Sequence, residues 1–432
     1  MAFERVLTRN VGRPEARTVR GYRDSGGYEG LGRALGLQPE EVVEEVKRSG
    51  LRGRGGAGFP CGMKWSFVPR NVDKPKYIVC NADESEPGTF KDRLLMEQDP
   101  HQLIEGCVIA GYAVGANTTY IYIRGEYTYA TRVLEAAIRD AYESGVLGAS
   151  VLGSGFRHDV YVHRGAGAYI CGEETGLLES LEGKRGQPRV KPPFPAVVGA
   201  FGCPTVINNV ETLCCAAHIL QRGADWFKAI GTDERNTGPK LYAVSGHVER
   251  PGTYEFPIGI RFQDLLEACG GMYKGRRLKA WIPGGASAAM LTEAEVDYKL
   301  DFDTLAKAGS MLGSAAVIVM DETTCVVRSV LRLAEFFAHE SCGQCTPCRE
   351  GTNWMRLILE RIERGDGSEA DLDLLANVVP NVGGISLCAL GDAAQGPVKS
   401  LIQRFGDEIR DNIRRRRYPL PVVPFFDLGA AA

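Results

Sequence analysis

Two different spacings of hydrophobic residues predict alternating strands and helices in the first half of the chain. Short apolar runs indicate buried strands, whereas apolar residues three or four positions apart indicate amphipathic helices. The predicted strands cover residues 76–80, 118–123 and 159–163. The predicted helices cover residues 39–47, 103–116, 129–144, 173–182 and 209–221. Regular alternation of this kind predicts an α/β domain in which helices cover a mostly parallel sheet.

The pattern of apolar residues changes near Lys240. A strand pattern over 241–246 and a turn at 250–252 predict a hairpin, and the following segment predicts a short helix over 262–269 and strands over 280–282 and 315–320. This combination predicts a small α+β unit of the β-grasp kind. Helical spacing then recurs over residues 325–338, 352–364, 369–379 and 393–411. The last quarter of the chain is therefore predicted to be a helical bundle.

Composition and charge exclude several classes of protein. Hydrophobic residues make up 44% and charged residues 24% of the 432 residues, as is usual for a globular protein that buries sizeable cores. The formal charge of −3 gives no overall field that would draw the chain to nucleic acid or to an anionic membrane. The first residues contain no apolar core of a secretory signal, and no apolar run approaches the length of a bilayer span. We expect membrane contact only through a partner, and we interpret the arginine run at 414–417 as a solvated or partner-docking tail.

The 13 cysteines are too few and too scattered for a disulfide scaffold, so a reducing compartment is expected. Cys342, Cys345 and Cys348 follow a C-x2-C-x2-C spacing, and Cys388 lies further along in a glycine-rich segment. Three thiols at this spacing can bind three irons of one cubane, with the fourth iron bound by a distant ligand. A 4Fe–4S cluster is favoured, while a zinc site, or buried thiols without a metal, remain alternatives. Cys325 is an alternative to Cys388 as the fourth ligand.

Three glycines at positions 53, 55 and 58 form a G-x-G-x-x-G pattern. A dinucleotide-binding turn would follow a strand, but here a helical pattern precedes the glycines, so we do not predict a standard Rossmann turn. The loop can still present backbone N–H groups to a phosphate, together with the positive charges of Arg54 and Lys64. The alternative is a surface loop without a function.

Polar side chains follow the strand predicted over 76–80. Asn81, Asp83, Glu84 and Glu86 can accept hydrogen bonds from sugar hydroxyls and heterocycle N–H groups. The carboxyl ends of strands in an open α/β sheet are where ligands bind, and acids there repel an extra phosphate, which suits NAD better than NADP. The alternative is a solvated acidic turn.

Two more segments have both a functional and a structural interpretation. Residues 165–176 form a second glycine-rich junction between a strand and a helix, whose acidic residues either bind a ligand or cap the helix. Four prolines between 188 and 195 stiffen a segment that could form a wall bearing Phe194, or only a spacer.

Together these segments resemble the NADH- and FMN-binding subunit of respiratory complex I, the NADH:quinone oxidoreductase. The resemblance covers about residues 20–410, and its motifs occur in the order of the family, at residues 51–60, 80–90, 165–183, 191–195, 207–212 and 340–348. Cys61, Ser85, Gly176 and Ile207 depart from the residues that are usual or common in the family. None of these departures removes a polar ligand.

The resemblance implies an α/β fold with three kinds of domain. An FMN-binding, Rossmann-like domain with a mostly parallel sheet is followed by a ubiquitin-like (β-grasp, soluble-ligand-binding) α+β domain and a C-terminal helical-bundle iron–sulfur domain. The expected boundaries are an N-terminal segment with the glycine-rich loop at 1–70, the FMN- and NADH-binding domain at 71–235, the ubiquitin-like domain at 236–323 and the 4Fe–4S domain at 324–432.

The resemblance also assigns residues to ligands. Expected FMN contacts are Gly53, Arg54, Gly55, Gly56, Ala57, Gly58, Lys64, Asn81, Asp83, Glu84, Ser85, Tyr169, Gly172, Glu173, Ile207, Asn208, Asn209 and Thr212. Expected NADH contacts are Phe59, Phe67, Glu86, Glu174, Lys191 and Phe194, with the phenylalanines stacking on adenine and Glu174 facing the adenosine ribose. The expected cluster ligands are Cys342, Cys345, Cys348 and Cys388. No side chain is expected to act as acid, base or nucleophile; Glu86 and Glu174 position NADH.

The implied activity is that of the electron-input subunit of complex I. A hydride passes from NADH to FMN, and electrons then pass singly to the 4Fe–4S cluster and on to quinone reduction elsewhere in the complex. The implied partners are a thioredoxin-fold 2Fe–2S subunit and a large iron–sulfur subunit, and the implied location is cytoplasmic, in the peripheral arm on the cytoplasmic side of the inner membrane. Two alternatives remain at this point: the diaphorase subunit of an NAD-linked hydrogenase or formate dehydrogenase, and a non-catalytic scaffold that no longer binds flavin.

Overall fold

The computed structural model describes residues 4–415. Its first sheet contains, within those residues, four parallel strands in the order β3-β2-β1-β4. The strands are β1 (Tyr77–Ala82), β2 (Thr118–Ile123), β3 (Asp159–Arg164) and β4 (Thr205–Asn209). The predicted parallel sheet is confirmed, and its edge strand β4 was not predicted. The end of the expected helical domain, including the last two arginines of the 414–417 run, lies outside the described residues.

Helices cover this sheet on both faces. The helices of the first half are α1 (Val19–Arg23), α2 (Glu29–Leu35), α3 (Pro39–Arg48), α4 (Cys61–Ser66), α5 (Lys91–Gln98), α6 (Pro100–Val114), α7 (Thr128–Glu143), α8 (Glu174–Leu181), α9 (Val210–Arg222) and α10 (Ala224–Ile230). Helices α6 and α9 are buried on almost every side and pack on each other, as their largely apolar sequences require. In β1, Ile78 and Cys80 join the core formed with α6 and α9, whereas Val79 points to the opposite face.

The middle domain, as we call residues 239–321, is built on a second sheet. This mixed sheet has the order β6-β5-β9-β7-β8 among the described residues. Its strands are β5 (Pro239–Gly246), β6 (Gly252–Pro257), β7 (Leu278–Ile282), β8 (Leu291–Thr292) and β9 (Ala316–Asp321), and its helices are α11 (Phe262–Ala268) and α12 (Phe302–Lys307). The predicted hairpin is the antiparallel pair β5–β6. Phe262 and Trp281 stack in its core, with ring centroids 4.0 Å apart.

The last quarter of the described chain is helical, as predicted. It contains α13 (Val326–Glu340), α14 (Thr346–Glu363), α15 (Glu369–Val378) and α16 (Ala389–Arg415). Helix α14 begins at Thr346 and not near residue 352, because Pro347 fits the first turn of a helix, where its missing N–H has no partner to lose. Cys348 therefore lies on a helix and not in a loop. The apolar core of these helices is continuous with Val79 and Ile207 on the second face of the first sheet.

Several short elements lie between the larger ones. Single turns of 3-10 helix cover Pro14–Arg17, Val151–Gly153, Tyr169–Gly172, Ala200–Gly202, Tyr273–Gly275, Glu293–Glu295 and Val379–Asn381. No helix between residues 4 and 415 combines the length and the apolar character that a membrane crossing requires.

Candidate functional site

The carboxyl ends of β1 and β4 bring the predicted polar residues together. Asn81 and Asn209 are direct partners in the register of the two strands. The Asn81 amide donates to the carbonyl oxygen of Gly172 over 2.8 Å. The Asn209 side chain accepts the N–H of Glu211 over 3.0 Å and so caps α9. This edge of the sheet is the position at which parallel α/β sheets bind ligands.

The glycine-rich loop lies directly against this edge. An isolated bridge between Arg52 and Pro60 closes the loop at its base. A Cβ atom at Gly55 would come within 2.9 Å of the Cβ of Asn209, so only glycine allows this approach. The Arg54 N–H donates to the Thr212 hydroxyl over 2.8 Å, which fastens the loop to α9. The loop backbone is therefore held on the same edge as Asn81 and Asn209, where an anionic ligand can meet its N–H groups.

The Arg54 side chain does not project from the loop into solvent. It is fully buried, and its Nη2 donates to the carbonyl oxygen of Thr237 at the entry to the middle domain over 2.6 Å. Its Nε is buried and has no hydrogen-bond partner within residues 4–415. Because the guanidinium has no exposed surface, it can offer a bound ligand only its positive charge, and the same charge helps to keep the buried Glu211 ionised.

The acidic residues after β1 have separate environments. The Glu84 carboxylate accepts the N–H groups of Asp92 and Arg93 over 2.8 and 2.9 Å and thereby caps α5. Burial raises the pKa of Glu84 to about 7, with the neighbouring Asp92 as a second cause. Burial likewise raises the pKa of Asp83 to about 7, although the Ser85 hydroxyl opposes this by donating to it over 2.9 Å. The Glu84 carboxylate is thus engaged by the chain itself, while Asp83 remains a buried acceptor at the sheet edge.

A network of buried charges lies beneath the sheet edge. The Lys91 amine contacts the carboxylates of Asp92 and Glu211, each over 2.7 Å. Lys240, from the middle domain, contacts Glu211 over the same distance. Burial alone would raise the pKa of Glu211, but the two lysines outweigh it and hold the pKa below its usual range. The sequence analysis missed these residues, because nothing in the chain order indicates that residues 91, 211 and 240 meet.

The first turn of α8 carries the two acids of the second glycine-rich segment. Glu173 accepts the N–H groups of Thr175 and Gly176 over 2.8 and 2.9 Å, so the helix-capping interpretation is part of its role. Glu174 lies between the amines of Lys64 and Lys191, each at 2.9 Å. Burial raises the pKa of Glu174, but the two lysines more than compensate and keep the pKa below its usual range. Glu174 therefore remains charged.

Three large aromatic side chains near these ion pairs are exposed to solvent. Phe59, Phe67 and Phe194 have exposed fractions of 45%, 54% and 59%. The rings of Phe59 and Phe67 lie 6.2 Å apart. Phe67 follows α4, which carries Lys64, and Phe194 shares the proline-rich segment with Lys191, so the ion pairs to Glu174 draw both towards α8. Exposed aromatic side chains around a polar site are typical of ligand contacts.

Glu86 and Tyr169 form a hydrogen-bonded pair that also involves the middle domain. The Tyr169 hydroxyl donates to Glu86 Oε2 over 2.6 Å. The backbone N–H of Ser287 donates to Glu86 Oε1 over 2.6 Å, and the Ser287 hydroxyl donates to Oε2 over 2.9 Å. The sequence analysis did not find Ser287, which lies about two hundred residues from Glu86 in the chain.

The remaining predicted residues of β4 lie inside the fold. Ile207 is buried, and the side-chain amide oxygen of Asn208 (Oδ1) accepts the indole N–H of Trp65 over 2.8 Å. Their side chains are therefore packed against the protein, and their backbone at the sheet edge is what they can offer to a ligand.

Four of the thirteen thiols line one cavity in the C-terminal helical region. Cys342, Cys345, Cys348 and Cys388 border this cavity together with apolar residues that include Ile170 and Leu390. Burial raises the pKa of Cys388 to about 11 and that of Cys348 above its usual value, and the neighbouring thiols add to both shifts.

The alternative ligand Cys325 does not border the cavity. Its Sγ accepts the N–H of Arg328 over 3.3 Å at the start of α13. Within residues 4–415, no three His, Cys, Asp or Glu side chains are grouped as they would be around a single ion. The shared cavity and the four thiols fit the donor set of an iron–sulfur cluster.

Comparison with protein families matches three consecutive parts of the chain. Residues 46–218 match the Nuo51 FMN-binding domain, residues 241–288 match the SLBB domain, and residues 328–412 match the NADH-ubiquinone oxidoreductase-F iron–sulfur binding region. These matches confirm the predicted cofactors, FMN and a 4Fe–4S cluster, and the predicted order of fold types.

Similar proteins and structures cover most of the chain. The second F subunit of NADH-quinone oxidoreductase in Rhizobium meliloti (strain 1021) is 57% identical over 96% of this chain and 99% of its own length. The F subunit of Streptomyces coelicolor (strain ATCC BAA-471 / A3(2) / M145) is 53% identical over 94% of this chain and 90% of its own. A crystal structure of the NAD+-reducing [NiFe]-hydrogenase in the H2-reduced state is similar with a TM-score of 0.80 and 40% identity, over 91% of this chain and 65% of that chain. The air-oxidized state gives a TM-score of 0.81 and 37% identity, over 98% and 69%. With the FMN-binding and 4Fe–4S regions both present, the chain belongs to the family of F subunits of NADH-quinone oxidoreductase, which are the NADH dehydrogenase subunits of complex I.

Proposed function

We propose that the sheet edge holds FMN and that NADH enters from the side of the exposed phenylalanines. The loop from Gly55 to Gly58 meets the phosphate with its backbone, and the buried Arg54 guanidinium adds a positive charge, while Asn81 and Asp83 meet the ring and sugar side of the flavin. When bound, FMN accepts the hydride of NADH and gives up electrons singly, which is chemistry that no side chain here supplies.

The observation that supports this proposal most directly is that the consecutive residues Tyr169 and Ile170 lie at two different sites. Tyr169 belongs to the residues expected at the flavin and hydrogen-bonds Glu86. The next residue, Ile170, lines the cavity of the four thiols. The Tyr169 ring also packs edge-on against Phe336 of α13, with ring centroids 5.0 Å apart. Two residues adjacent in the chain thus face the two proposed cofactor sites, which supports direct electron transfer between the cofactors.

On the NADH side, the residues of this chain bind and orient the substrate. Glu174, kept charged by Lys64 and Lys191, accepts hydrogen bonds from an adenosine ribose and repels a 2′-phosphate. Phe59, Phe67 and Phe194 offer apolar faces on which an adenine ring stacks. Glu86 is held as an acceptor by Tyr169 and Ser287. These contacts supply alignment and specificity, and they require no proton transfer from a side chain.

We infer that the cavity side of the helical region faces the next carrier in the complex. Ile385, three residues before Cys388, has an exposed fraction of 58%, and Leu387, which lines the cavity, has 37%. These exposed apolar residues support docking of the thioredoxin-fold 2Fe–2S subunit and the large iron–sulfur subunit. The assembly that we propose places the chain in the cytoplasm, in the peripheral arm on the cytoplasmic side of the inner membrane, with domain boundaries at residues 71, 236 and 324.

A diaphorase role in a hydrogenase or formate dehydrogenase has weaker support. The chain spans 65% and 69% of the two hydrogenase chains, whereas it spans 90% to 99% of the two complex I relatives at higher identity. Co-purification distinguishes the roles, because a diaphorase would bring nickel or a formate-oxidising protein with it.

The proposal is tested by the cofactor content of the complex purified without oxygen through this chain. We expect about one FMN per copy of this chain and EPR signals from a 4Fe–4S cluster that vanish in a Cys342→Ser variant. NADH should bleach the flavin absorption in both preparations. A complex that contains this chain but lacks FMN would contradict the proposal and would favour the scaffold.

A further inference from the structure

The middle domain reaches into the proposed NADH site through one loop. This 283–288 loop connects β7 to β8. A Cβ atom at Gly285 would come within 2.6 Å of the Glu86 Cγ. The loop can therefore approach Glu86 this closely only because residue 285 is a glycine. The Ala286 N–H donates to the carbonyl oxygen of Pro87 over 3.2 Å, which fixes the loop next to the Glu86 segment.

The donors around Glu86 nearly saturate its carboxylate. An ionised carboxylate offers about four acceptor positions. The Ser287 N–H takes one on Oε1, and the Ser287 and Tyr169 hydroxyls take two on Oε2. About one position remains for a donor from outside the protein, and its direction is fixed by the other three. Two of the three fixing bonds come from a single residue of the middle domain.

We propose that Ser287 is a positioning residue for NADH, which acts by holding the Glu86 carboxylate ionised and aimed at the substrate. This inference rests on the proposed function, in which Glu86 meets NADH. It gives the middle domain a direct part in substrate binding, although its fold lies outside both cofactor-binding regions.

The titratable surroundings of Glu86 make its ionisation sensitive to this contact. Burial raises the pKa of Glu86, and the hydrogen bonds from Tyr169 and from both groups of Ser287 oppose that rise. The titratable group in contact with Glu86 is the Tyr169 phenol, whose own pKa is raised by burial and further by Glu86 and the Cys388 thiol. The backbone N–H of Tyr169 donates to Glu340. Loss of the Ser287 hydroxyl therefore removes a donor that stabilises the charged carboxylate, and the pKa of Glu86 rises further.

The test compares Ser287→Ala with Ser310→Ala in the assembled complex. Ser310 belongs to the same domain, but its hydroxyl donates to the carbonyl oxygen of Ala289 and not to Glu86. In Ser287→Ala we expect the KM for NADH to rise about tenfold with kcat within about twofold, as for loss of one hydrogen bond to a charged group. The acidic limb of kcat/KM should move to higher pH, and the affinity for NAD+ in calorimetry should fall. Ser287→Thr, which keeps the hydroxyl, should restore the pH profile.

Two outcomes would overturn the inference in distinguishable ways. If Ser287→Ala matches Ser310→Ala in KM, pH profile and NAD+ affinity while Glu86→Gln raises the KM, Ser287 only fills space and the proposed NADH site stands. If Glu86→Gln also leaves the KM unchanged, NADH does not meet Glu86, and the inference fails together with that part of the proposed function. Unchanged FMN content and cluster EPR signals in every variant establish that the complexes compared are intact.

Discussion

The cavity of the thiols takes three of its four cysteines from residues 342–348, whereas the sheet edge draws its side chains from segments between residues 53 and 287. The three thiols of residues 342–348 are a ligand set that spacing predicts, because a C-x2-C-x2-C run can bind three irons of one cubane. The proposed flavin site at this sheet edge, which we call the flavin edge, consists of backbone N–H groups, amides and buried charges that only the folded chain brings together. A substitution in the thiol cavity should therefore affect only the cluster, whereas a substitution at the flavin edge should disturb contacts between several segments of the chain.

The largest expected effect lies on the cluster side. Cys345→Ser should abolish the cluster EPR signal and reduce quinone reduction to background, because serine replaces a thiolate ligand. NADH should still bleach the flavin absorption of the purified complex, since the sheet edge is unchanged. Cys325→Ser is the matched control and should keep the cluster, because Cys325 does not border the cavity. Loss of flavin reduction in a folded Cys345→Ser complex would contradict the separation of the two regions.

At the flavin edge, the substitution Glu211→Gln should disrupt the buried charge network. This change leaves Lys91 and Lys240 buried without their shared carboxylate, and breaking such a buried pair costs about 3–5 kcal/mol. We expect FMN to be released at lower temperature, which flavin fluorescence during heating measures. The exposed pair of Arg332 and Glu335 is the control, and Glu335→Gln should change stability by less than about 1 kcal/mol. Equal behaviour of the two variants would show that the network does not support the site.

A smaller effect is expected on the preference for NADH over NADPH, which Glu174 should determine. Glu174→Ala should raise the ratio of kcat/KM for NADPH over NADH by about tenfold, because the variant no longer repels the 2′-phosphate and leaves Lys64 and Lys191 to attract it. Steady-state kinetics with both nucleotides measures this ratio. Glu174→Gln, of equal size, should give a similar increase if charge is the cause. An unchanged ratio in both variants would remove Glu174 from the ribose site.

The remaining expected effect is a change of stability with pH, which leaves the chemistry of both regions unchanged. Burial raises the pKa of Asp83 from 3.8 to about 7, so the unfolded chain loses this proton at lower pH than the folded chain. Stability from the protonated form is complete below about pH 4 and is lost as the pH rises through about 7. Between about pH 5 and 8, Asp83→Asn should therefore gain about 3 kcal/mol relative to the unchanged protein, since the pH rises through about two units below the folded pKa. Thermal unfolding of both proteins at several pH values measures this difference. If the two plots of stability against pH ran parallel, the raised pKa of Asp83 would be contradicted.

The sequence predicted the parts of this molecule that depend on local pattern. The strand over 118–123 and the helix that starts at Pro39 agree with β2 and α3, because apolar spacing and a proline at a helix start act within a few residues. Three thiols that line the cavity were also predicted from their spacing, whereas Cys388 was preferred to Cys325 from its glycine-rich context and the family resemblance. Strand β4 was missed because its apolar part, Val206 and Ile207, is only two residues long and is followed by two polar asparagines.

The contacts that complete the flavin edge could not be predicted, because they join residues far apart in the chain. Glu84 was expected at the flavin, but its carboxylate caps α5, a helix that the sequence analysis did not predict. Ser287 and Lys240 have no local signal, since a serine in a loop and a lysine at the start of a strand are common. Their roles depend on how the middle domain packs against the first sheet.

The position of Lys240 limits how this chain can be divided. The residue lies at the start of a strand of the middle domain, yet its amine is fully buried against Glu211 of α9. Replacing the middle domain with an unrelated module would remove one salt partner of Glu211 on α9 and would alter the buried charge beneath the sheet edge. Recombination between distant lineages, or the engineering of chimaeric subunits, is therefore constrained at this junction: an incoming module must supply a cation at the start of its first strand.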